Sequence, residues 1–404
     1  MKKALSLIFS LSILFLACNS AQKDKQDASS VAKDSVIDET MATPVREAGF
    51  ELTPQENYFN DQLRFIAGMV PFQTDSVFGH LMDSSWSAYA KRFNQRWKKL
   101  EEGKFSLMRE FRAKEIEPMA DNPKTLLYPF SGPDFLNAFL FFPNQERYIM
   151  LALEPAGSLP DFKKFPSDSL KGYLSNIEQS LHAILNFSFF RTNSMAVDFK
   201  KQEELNGAVH LISIFMERTG NTLLGLEKVR VDSTGKITTS TVGGGICGNV
   251  GIRIFFKNKA SDAKREVIYF SCDLSDNGLS ANPCFASFLR NLGPVNTYLK
   301  SASYLLHNTY FSKTRNAILK NSALVLQDDS GIPVRYFGAE NWQRQLFGTY
   351  DKPINLFKTR FQADLKTLYD STDKATVKPL AFGIGYDYKP KESNLMLFTK
   401  VKGK

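Results

Sequence analysis

Residues 242–256 read VGGGICGNVGIRIFF, and the residues after the glycines distinguish between two fold classes. The glycines satisfy the pattern G-x-G-x-x-G-x-V letter for letter. In a dinucleotide-binding fold such a loop follows a strand and opens a helix, whose N-terminus holds the pyrophosphate. Here the glycines are followed by β-branched and aromatic residues, which favour a strand. The stretch therefore predicts a glycine turn entering a strand, within an α+β protein built mainly on antiparallel sheet.

A glycine loop between two strands would resemble the nucleotide loop of protein kinases. That site also needs a His-Arg-Asp segment and an Asp-Phe-Gly segment. None of the four histidines is followed by Arg-Asp, and Asp-Phe-Gly does not occur. We therefore expect no bound nucleotide and no other cofactor.

The N-terminus begins MKKALSLIFSLSILFLAC, with two lysines ahead of an apolar and serine run of 14 residues that ends at Cys18. A helix needs roughly 20 apolar residues to cross a bilayer. The segment resembles a bacterial lipoprotein signal, although residues 15–18, FLAC, depart from the usual pattern at two positions. The resemblance implies a signal peptide at 1–17, cleavage before Cys18 and acylation of that cysteine, for example with palmitate. A plain secretory signal is the alternative.

Residues 18–47 are rich in Ser, Ala, Lys, Asp, Gln and Thr and nearly lack large apolar residues. Such a segment cannot bury enough surface to order itself, which predicts a flexible tether. Loss of residues 1–17 removes two lysines and no acid, so the formal net charge falls from +9 to +7. The basic residues are spread along the chain, which does not indicate a nucleic-acid site. We expect a cell-envelope protein that meets the membrane through its lipid anchor.

The rest of the chain divides into a helical region and a region of strands and helices. Residues 48–124 are helical in pattern, with an aromatic stripe typical of core and a break at Gly103. Residues 125–242 and 243–404 then form two α+β lobes, in which short apolar runs alternate with turn residues. The similar order of elements in the two lobes suggests an ancient duplication.

Several elements of the second lobe are predicted from the same patterns. Residues 251–256 and 266–272 should be strands, whereas 283–319 should be helical with a break near Gly293. Residues 323–326 and 332–337 should form a hairpin around Asp-Asp-Ser-Gly. The C-terminus should contain a helix at 353–370 and strands at 380–386 and 394–401.

Three cysteines follow Cys18, namely Cys247, Cys272 and Cys284. Export would place them where a disulfide persists, and one bridge plus one free thiol is the simplest arrangement. The sequence leaves the pairing open. No C-x-x-C occurs and the histidines are isolated, so we expect no metal site.

The stretch YPFSGPDF, residues 128–135, is the best site candidate. A predicted strand runs into Ser131 and Asp134, after which a helix can start, and such a turn exposes backbone N–H groups to an anion. The simpler interpretation is a capped helix start with Ser131 as cap. A site here would be joined by Asp328, Asp329 and Arg335, although two aspartates before Ser-Gly also suit a turn.

YPFSGPDF, FFPNQERYIMLALEPAGSLPD and LQDDSGIPVRYF resemble segments of an uncharacterised family of exported bacterial proteins. The resemblance covers most of the chain from about residue 80 and implies export, but no activity.

Because no nucleophile, metal or paired-acid motif passes its context test, the first hypothesis is a non-enzymatic binding or scaffold role with an envelope protein partner. The alternative is a hydrolase or small-ligand site at Ser131 and Asp134.

Overall fold

The computed structural model describes residues 51–73, 77–120, 123–187, 205–239, 250–258, 261–386 and 388–401. The signal, Cys18, the tether up to residue 47, the glycine loop and Cys247 lie outside the described residues. The described residues belong to one compact unit. Within the described part of the chain, no helix combines the length and the apolar character needed to cross a bilayer.

The first five described helices precede the first strand, and the other described helices lie between strands along the chain. Their bounds are α1 Pro54–Ile66, α2 Val77–Leu81, α3 Ser84–Leu100, α4 Ser106–Phe111, α5 Glu117–Ala120, α6 Phe135–Phe141, α7 Leu170–Phe187, α8 Val209–Arg218, α9 Asp276–Ala281, α10 Pro283–Arg290, α11 Ser312–Asn321 and α12 Ala363–Ser371. Short 3₁₀ turns cover Ser167–Ser169, Ser301–His307, Thr309–Phe311, Val334–Tyr336 and Asn355–Arg360.

Helix α1 starts where its capping sequence predicts. The Thr53 hydroxyl accepts a hydrogen bond from the Glu56 N–H at 3.3 Å, and the Glu56 carboxylate accepts one from the Thr53 N–H at 2.8 Å. Pro54 occupies the first helical position, where its missing N–H has no intrahelical partner to lose.

The helical region from α3 to α5 does not break at Gly103, so that prediction is wrong. Two π-helical segments, Glu101–Phe105 and Arg112–Ile116, carry the chain through without interruption. Single π-helical turns of this kind occur inside continuous α-helices. The aromatic stripe on α3 is core, as expected: Trp86 is buried and donates its indole N–H to the Phe65 carbonyl at 2.9 Å.

Ten strands of the described chain form one sheet in the order β4-β3-β5-β6-β2-β1-β7-β8-β10-β9. Their bounds are β1 Thr125–Pro129, β2 Arg147–Ala152, β3 Asn221–Val231, β4 Ile237–Thr239, β5 Val250–Asn258, β6 Ser261–Ser271, β7 Val295–Leu299, β8 Ser322–Gln327, β9 Trp342–Gly348 and β10 Asn394–Lys400. Strand β5 follows the glycine loop, as the sequence predicts.

Among the described strands, five of the nine pairings are antiparallel, which confirms the α+β class with a mainly antiparallel sheet. The four parallel pairings are contiguous and join the central strands β6, β2, β1, β7 and β8. The segment 125–242 contributes β1 to β4 and the segment 243–404 contributes β5 to β10. Their strands interleave in the sheet order, so the two segments share one sheet.

Side chains of the central strands alternate between two hydrophobic cores. On β1, Leu126 and Tyr128 point into the first core with α6, whereas Leu127 points into the second core. Helix α11 packs in the second core through Ala317 and Ile318. The crossover β1–α6–β2 therefore lies on one face and β7–α11–β8 on the other. The neighbouring strands β1 and β7 are therefore followed by crossovers on opposite faces of the sheet. A crevice opens between their carboxyl ends as a result.

The helical prediction for 283–319 is wrong at Val295–Leu299, which is the central parallel strand β7. All five of its residues are buried. Its polar side chains have partners within the sheet: Asn296 donates to the Pro123 carbonyl at 3.0 Å, and the Thr297 and Ser322 hydroxyls lie 2.7 Å apart. A strand buried on both faces has no polar alternation, so short segments of this kind do not differ in pattern from helix.

The predicted hairpin around Asp-Asp-Ser-Gly is also wrong, although its first arm is strand β8. Residues 332–337 form no strand, because the Gln327 side chain takes the hydrogen bonds that a partner strand would take. Its amide donates to the Ile332 carbonyl at 2.7 Å and its carbonyl accepts from the Ile332 N–H at 2.9 Å. Residues 380–386 likewise lie outside the described strands, and β9, which the sequence did not indicate, pairs with β10 instead.

Candidate functional site

A cavity of about 570 Å³ opens at the carboxyl ends of β1, β2 and β7. Each of these strands delivers a short segment to the cavity lining just beyond its last residue: 130–134 after β1, Leu153 and Glu154 after β2, and 300–302 after β7. The crevice between β1 and β7 is where open α/β sheets bind ligands. The cavity size is also within the range of small-molecule sites.

The sequence-predicted residues Ser131 and Asp134 both line this cavity. Strand β1 ends at Pro129, and Phe130 then turns the chain with a positive φ of 58°. The Ser131 N–H donates to the Leu151 carbonyl at 3.0 Å, which fixes the turn against β2. The helix cap is Asp134 and not Ser131: its carboxylate accepts from the Asn137 N–H at 3.2 Å.

Asp134 also forms a buried ion pair with Lys300, a residue the sequence analysis missed. The side chains of Lys300 and Asp134 are 3% and 1% exposed, and the ammonium contacts one carboxylate oxygen directly. Tyr128 donates its hydroxyl to the same oxygen at 2.9 Å. The Asn137 amide donates to both carboxylate oxygens, at 2.9 and 3.0 Å. The carboxylate is thereby held in one orientation at the cavity floor.

Ser301, the next residue, has a strained backbone and a buried hydroxyl. Its φ is 56°, a conformation that non-glycine residues adopt at a cost of about 1–3 kcal/mol. Ser301 is among the residues that line the cavity, and no described residue makes a hydrogen bond to its buried hydroxyl. Its N–H donates to Asp328 Oδ2 at 3.1 Å, which holds the turn in place.

Asp328 and Asp329 lie behind the cavity and position residues that line it. Asp328 accepts hydrogen bonds from the Ser330 hydroxyl and from the Ser330 N–H, the latter at 3.0 Å. Burial raises the pKa of the Asp328 carboxyl, while the hydrogen bonds from Ser330 and Ser301 oppose that shift. Asp329 accepts a hydrogen bond from the hydroxyl of Tyr304, whose pKa is raised by burial and by the Asp329 charge.

Arg335 does not join this group. Its side chain is 54% exposed and lies 3.6 Å from the Asp364 carboxylate. Arg335 and Asp364 line a second depression, which adjoins the cavity because Thr359 and Arg360 line both. Of the five sequence-predicted residues, the structure thus places Ser131 and Asp134 in the cavity lining, Asp328 and Asp329 directly behind it, and Arg335 outside the lining, in the adjoining depression.

Three aromatic rings stack into one wall of the cavity. The ring centroid of Tyr304 lies 5.1 Å from that of Phe357 and 6.1 Å from that of Tyr386, and the two tyrosine rings are nearly parallel at 4°. The centroids of Phe357 and Tyr386 are 4.5 Å apart. We call these three residues the aromatic wall. Such a surface offers area to a flat apolar group.

The arrangement offers binding groups, but it does not contain an activated nucleophile. The Ser131 hydroxyl donates to the Gly132 carbonyl at 2.9 Å, so no base is placed to take its proton. Within the described residues, no base contacts the Ser301 hydroxyl and no cluster of His, Cys, Asp or Glu could hold a metal ion.

The two described cysteines, Cys272 and Cys284, are not among the residues that line the cavity. Cys284 is disulfide-bonded, whereas Cys272 is a buried free thiol. Burial raises the pKa of the Cys272 thiol, and the neighbouring Asp273 raises it further, so this residue stays protonated and unreactive.

Comparison with known proteins gives no relative from which a function could be transferred. No family model, no curated protein and no solved structure matches the chain. The residues of the cavity consequently carry the functional inference.

Proposed function

We propose that the protein is a lipid-anchored cell-envelope protein that binds a small organic molecule in the cavity between β1 and β7. The observation that carries the proposal is the cavity floor, where the buried Lys300–Asp134 pair is fixed before any ligand arrives. Breaking or solvating such a pair is expensive, so the floor keeps its shape. Preorganisation of this kind lowers the entropy cost of binding.

Ligand binding is favoured over hydrolysis at Ser131 by the hydrogen bonding of that serine. Its hydroxyl is engaged with backbone carbonyls of Gly132 and Leu151. A nucleophile needs a base within hydrogen-bond reach. Of the alternative hypothesis, a hydrolase or small-ligand site at Ser131 and Asp134, we therefore retain the ligand site, with Asp134 at the cavity floor.

The cavity can be tested with N-phenyl-1-naphthylamine, an uncharged probe whose fluorescence rises in apolar surroundings. We expect the probe to bind the wild-type protein and to lose at least about tenfold in affinity in Ala302→Trp, because the indole would occupy the cavity that Ala302 lines. Ala375→Trp, at an exposed position outside the cavity, is the matched control and should bind as wild type. Equal affinity in the two variants would show that the probe binds elsewhere.

The anchor is tested separately in cells. Cys18→Ser is expected to abolish fatty-acid labelling and to release the protein from the membrane fraction, because the proposed acyl acceptor is removed. Cys272→Ser changes another thiol and should be labelled normally. Labelling that persists in Cys18→Ser would overturn the lipid anchor without affecting the cavity proposal.

A further inference from the structure

We infer that the ligand is an uncharged amphiphile whose polar group hydrogen-bonds the Ser301 hydroxyl while its apolar body lies on the aromatic wall. This inference rests on the proposed function and specifies the chemistry of the same site. Three independent features of the cavity support it: an unsatisfied hydroxyl, a balanced set of charges and an apolar wall.

The Ser301 hydroxyl is the polar group on the cavity floor that the protein leaves unsatisfied. The residue is 6% exposed and its oxygen has no hydrogen-bond partner in the described part of the chain. A buried hydroxyl without a partner is unfavourable, and native proteins rarely leave one without a reason. The strained φ of Ser301 and the hydrogen bond from its N–H to Asp328 hold this group in the lining. A ligand that supplies a hydrogen bond removes the cost.

The charges of the lining balance, which disfavours an ionic ligand. The ionisable side chains that line the cavity are two acids and two strong bases, Asp134, Glu154, Lys300 and Arg360, beside the phenols of three tyrosines. Lys300 and Asp134 neutralise each other, and Arg360 donates to the Asn308 side chain at 2.7 Å. An ion that entered would lose its hydration without meeting a net opposite charge in the lining, and that loss costs several kcal/mol.

The aromatic wall provides the apolar half of the recognition. Tyr304 is fixed within the wall because its hydroxyl donates to Asp329, so its ring face is presented without loss of side-chain freedom. Leu305 and Phe130 add apolar surface to the same lining. A ring or short alkyl body attached to a small neutral head fits this division of polar and apolar surface.

A competition experiment with one naphthyl body and four heads tests the inference on the full-length protein. The heads are an alcohol, 2-(2-naphthyl)ethanol; an anion, 2-naphthylacetate; a cation, 2-(2-naphthyl)ethylammonium; and a zwitterion, 3-(2-naphthyl)alanine. Each compound is titrated at neutral pH against bound N-phenyl-1-naphthylamine, and its displacement of the probe is measured. The alcohol should compete at a concentration at least about tenfold lower than any charged member, since only the charged heads lose strong hydration.

Ser301→Ala separates recognition by the hydroxyl from apolar binding. It should weaken the alcohol roughly 3- to 10-fold, the loss of one hydrogen bond, while the uncharged probe binds unchanged. Ser303→Ala is the matched control. Ser303 lies two residues after Ser301 and is buried, but it does not line the cavity, and its hydroxyl contacts the Lys300 backbone. This variant should leave the alcohol's preference over the ions intact.

The inference is overturned if a charged head competes as well as the alcohol, if no member competes while the probe binds, or if Ser301→Ala leaves the alcohol unaffected. Failure of the probe itself to distinguish Ala302→Trp from wild type would instead overturn the proposed function. The two failures are therefore distinguishable in one set of titrations.

Discussion

Replacing Lys300 with methionine should lower the free energy of unfolding by about 3–5 kcal/mol. The substitution keeps most of the aliphatic volume but leaves the Asp134 carboxylate, 1% exposed, without its counter-charge. Tyr128 and Asn137 still donate hydrogen bonds to the carboxylate, yet they cannot neutralise a charge in a medium of low polarity. Equilibrium unfolding in urea, followed by circular dichroism, measures the loss.

Two further variants show whether the loss comes from the buried charge. Asp134→Asn added to Lys300→Met removes the stranded charge while keeping a side chain that can cap α6, so a large part of the stability should return. Lys352→Met removes a lysine from an exposed pair, whose ammonium lies 3.6 Å from Glu392, and should cost less than about 1 kcal/mol. Similar losses for Lys300→Met and Lys352→Met would show that the pair does not act as a buried one.

Gly385→Ala is expected to lower the free energy of unfolding by about 3 kcal/mol and to weaken binding of the naphthylamine probe. Gly385 has a φ of +67°, and an added Cβ would lie 2.2 Å from Asp328 Oδ2. The overlap would displace the carboxylate that accepts the Ser301 N–H, and Tyr386 of the aromatic wall is the next residue. Stability and cavity geometry should therefore change together.

Gly220→Ala is the matched control, because it has the same kind of backbone without the steric contact. Its φ is +79°, and an added Cβ would meet nothing within 4 Å. We expect a loss of about 1 kcal/mol from backbone strain alone and unchanged probe binding. Equal losses of stability in Gly385→Ala and Gly220→Ala, with normal probe binding in both, would contradict the prediction. They would show that the close packing of Gly385 on Asp328 does not hold the cavity in shape.

The sequence predicts the local parts of this site better than its assembly. The turn after β1 is visible because Ser131, Gly132, Pro133 and Asp134 are turn and cap residues, and each acts within a few positions along the chain. Asp328 and Asp329 are visible for the same reason. Their role is not, because the groups they hold, Ser301 and Tyr304, lie about 25 residues away in sequence.

Lys300 and Ser301 were missed because the strand that delivers them was predicted as helix. Strand β7 is five residues long and buried on both faces, so its side chains show no alternation of polar and apolar positions. Its identity as a strand depends on pairing with β1 and β8, which come from distant parts of the chain. If β7 is not predicted as a central strand, no crevice between parallel strands is expected. A lone lysine then gives no indication of a site.

Arg335 illustrates the opposite error. It follows Asp328 and Asp329 closely in sequence, on the second arm of the predicted hairpin, and the sequence therefore predicts that it joins them in the site. The Gln327 side chain satisfies the Ile332 backbone instead, and the chain turns away into a 3₁₀ segment that carries Arg335 to the exposed surface. The contact between Gln327 and Ile332 replaces the pairing that the hairpin needs, and no pattern in the sequence reports that contact.

The central claim is that the crevice between β1 and β7 is a ligand site, and a crystal structure grown with N-phenyl-1-naphthylamine tests it most directly. We predict probe density in the cavity, with an aromatic ring against Tyr304, Phe357 or Tyr386 and the Lys300–Asp134 pair intact beneath it. A structure that shows the cavity empty and the probe on another surface, such as the groove between α10 and α11, would contradict the account.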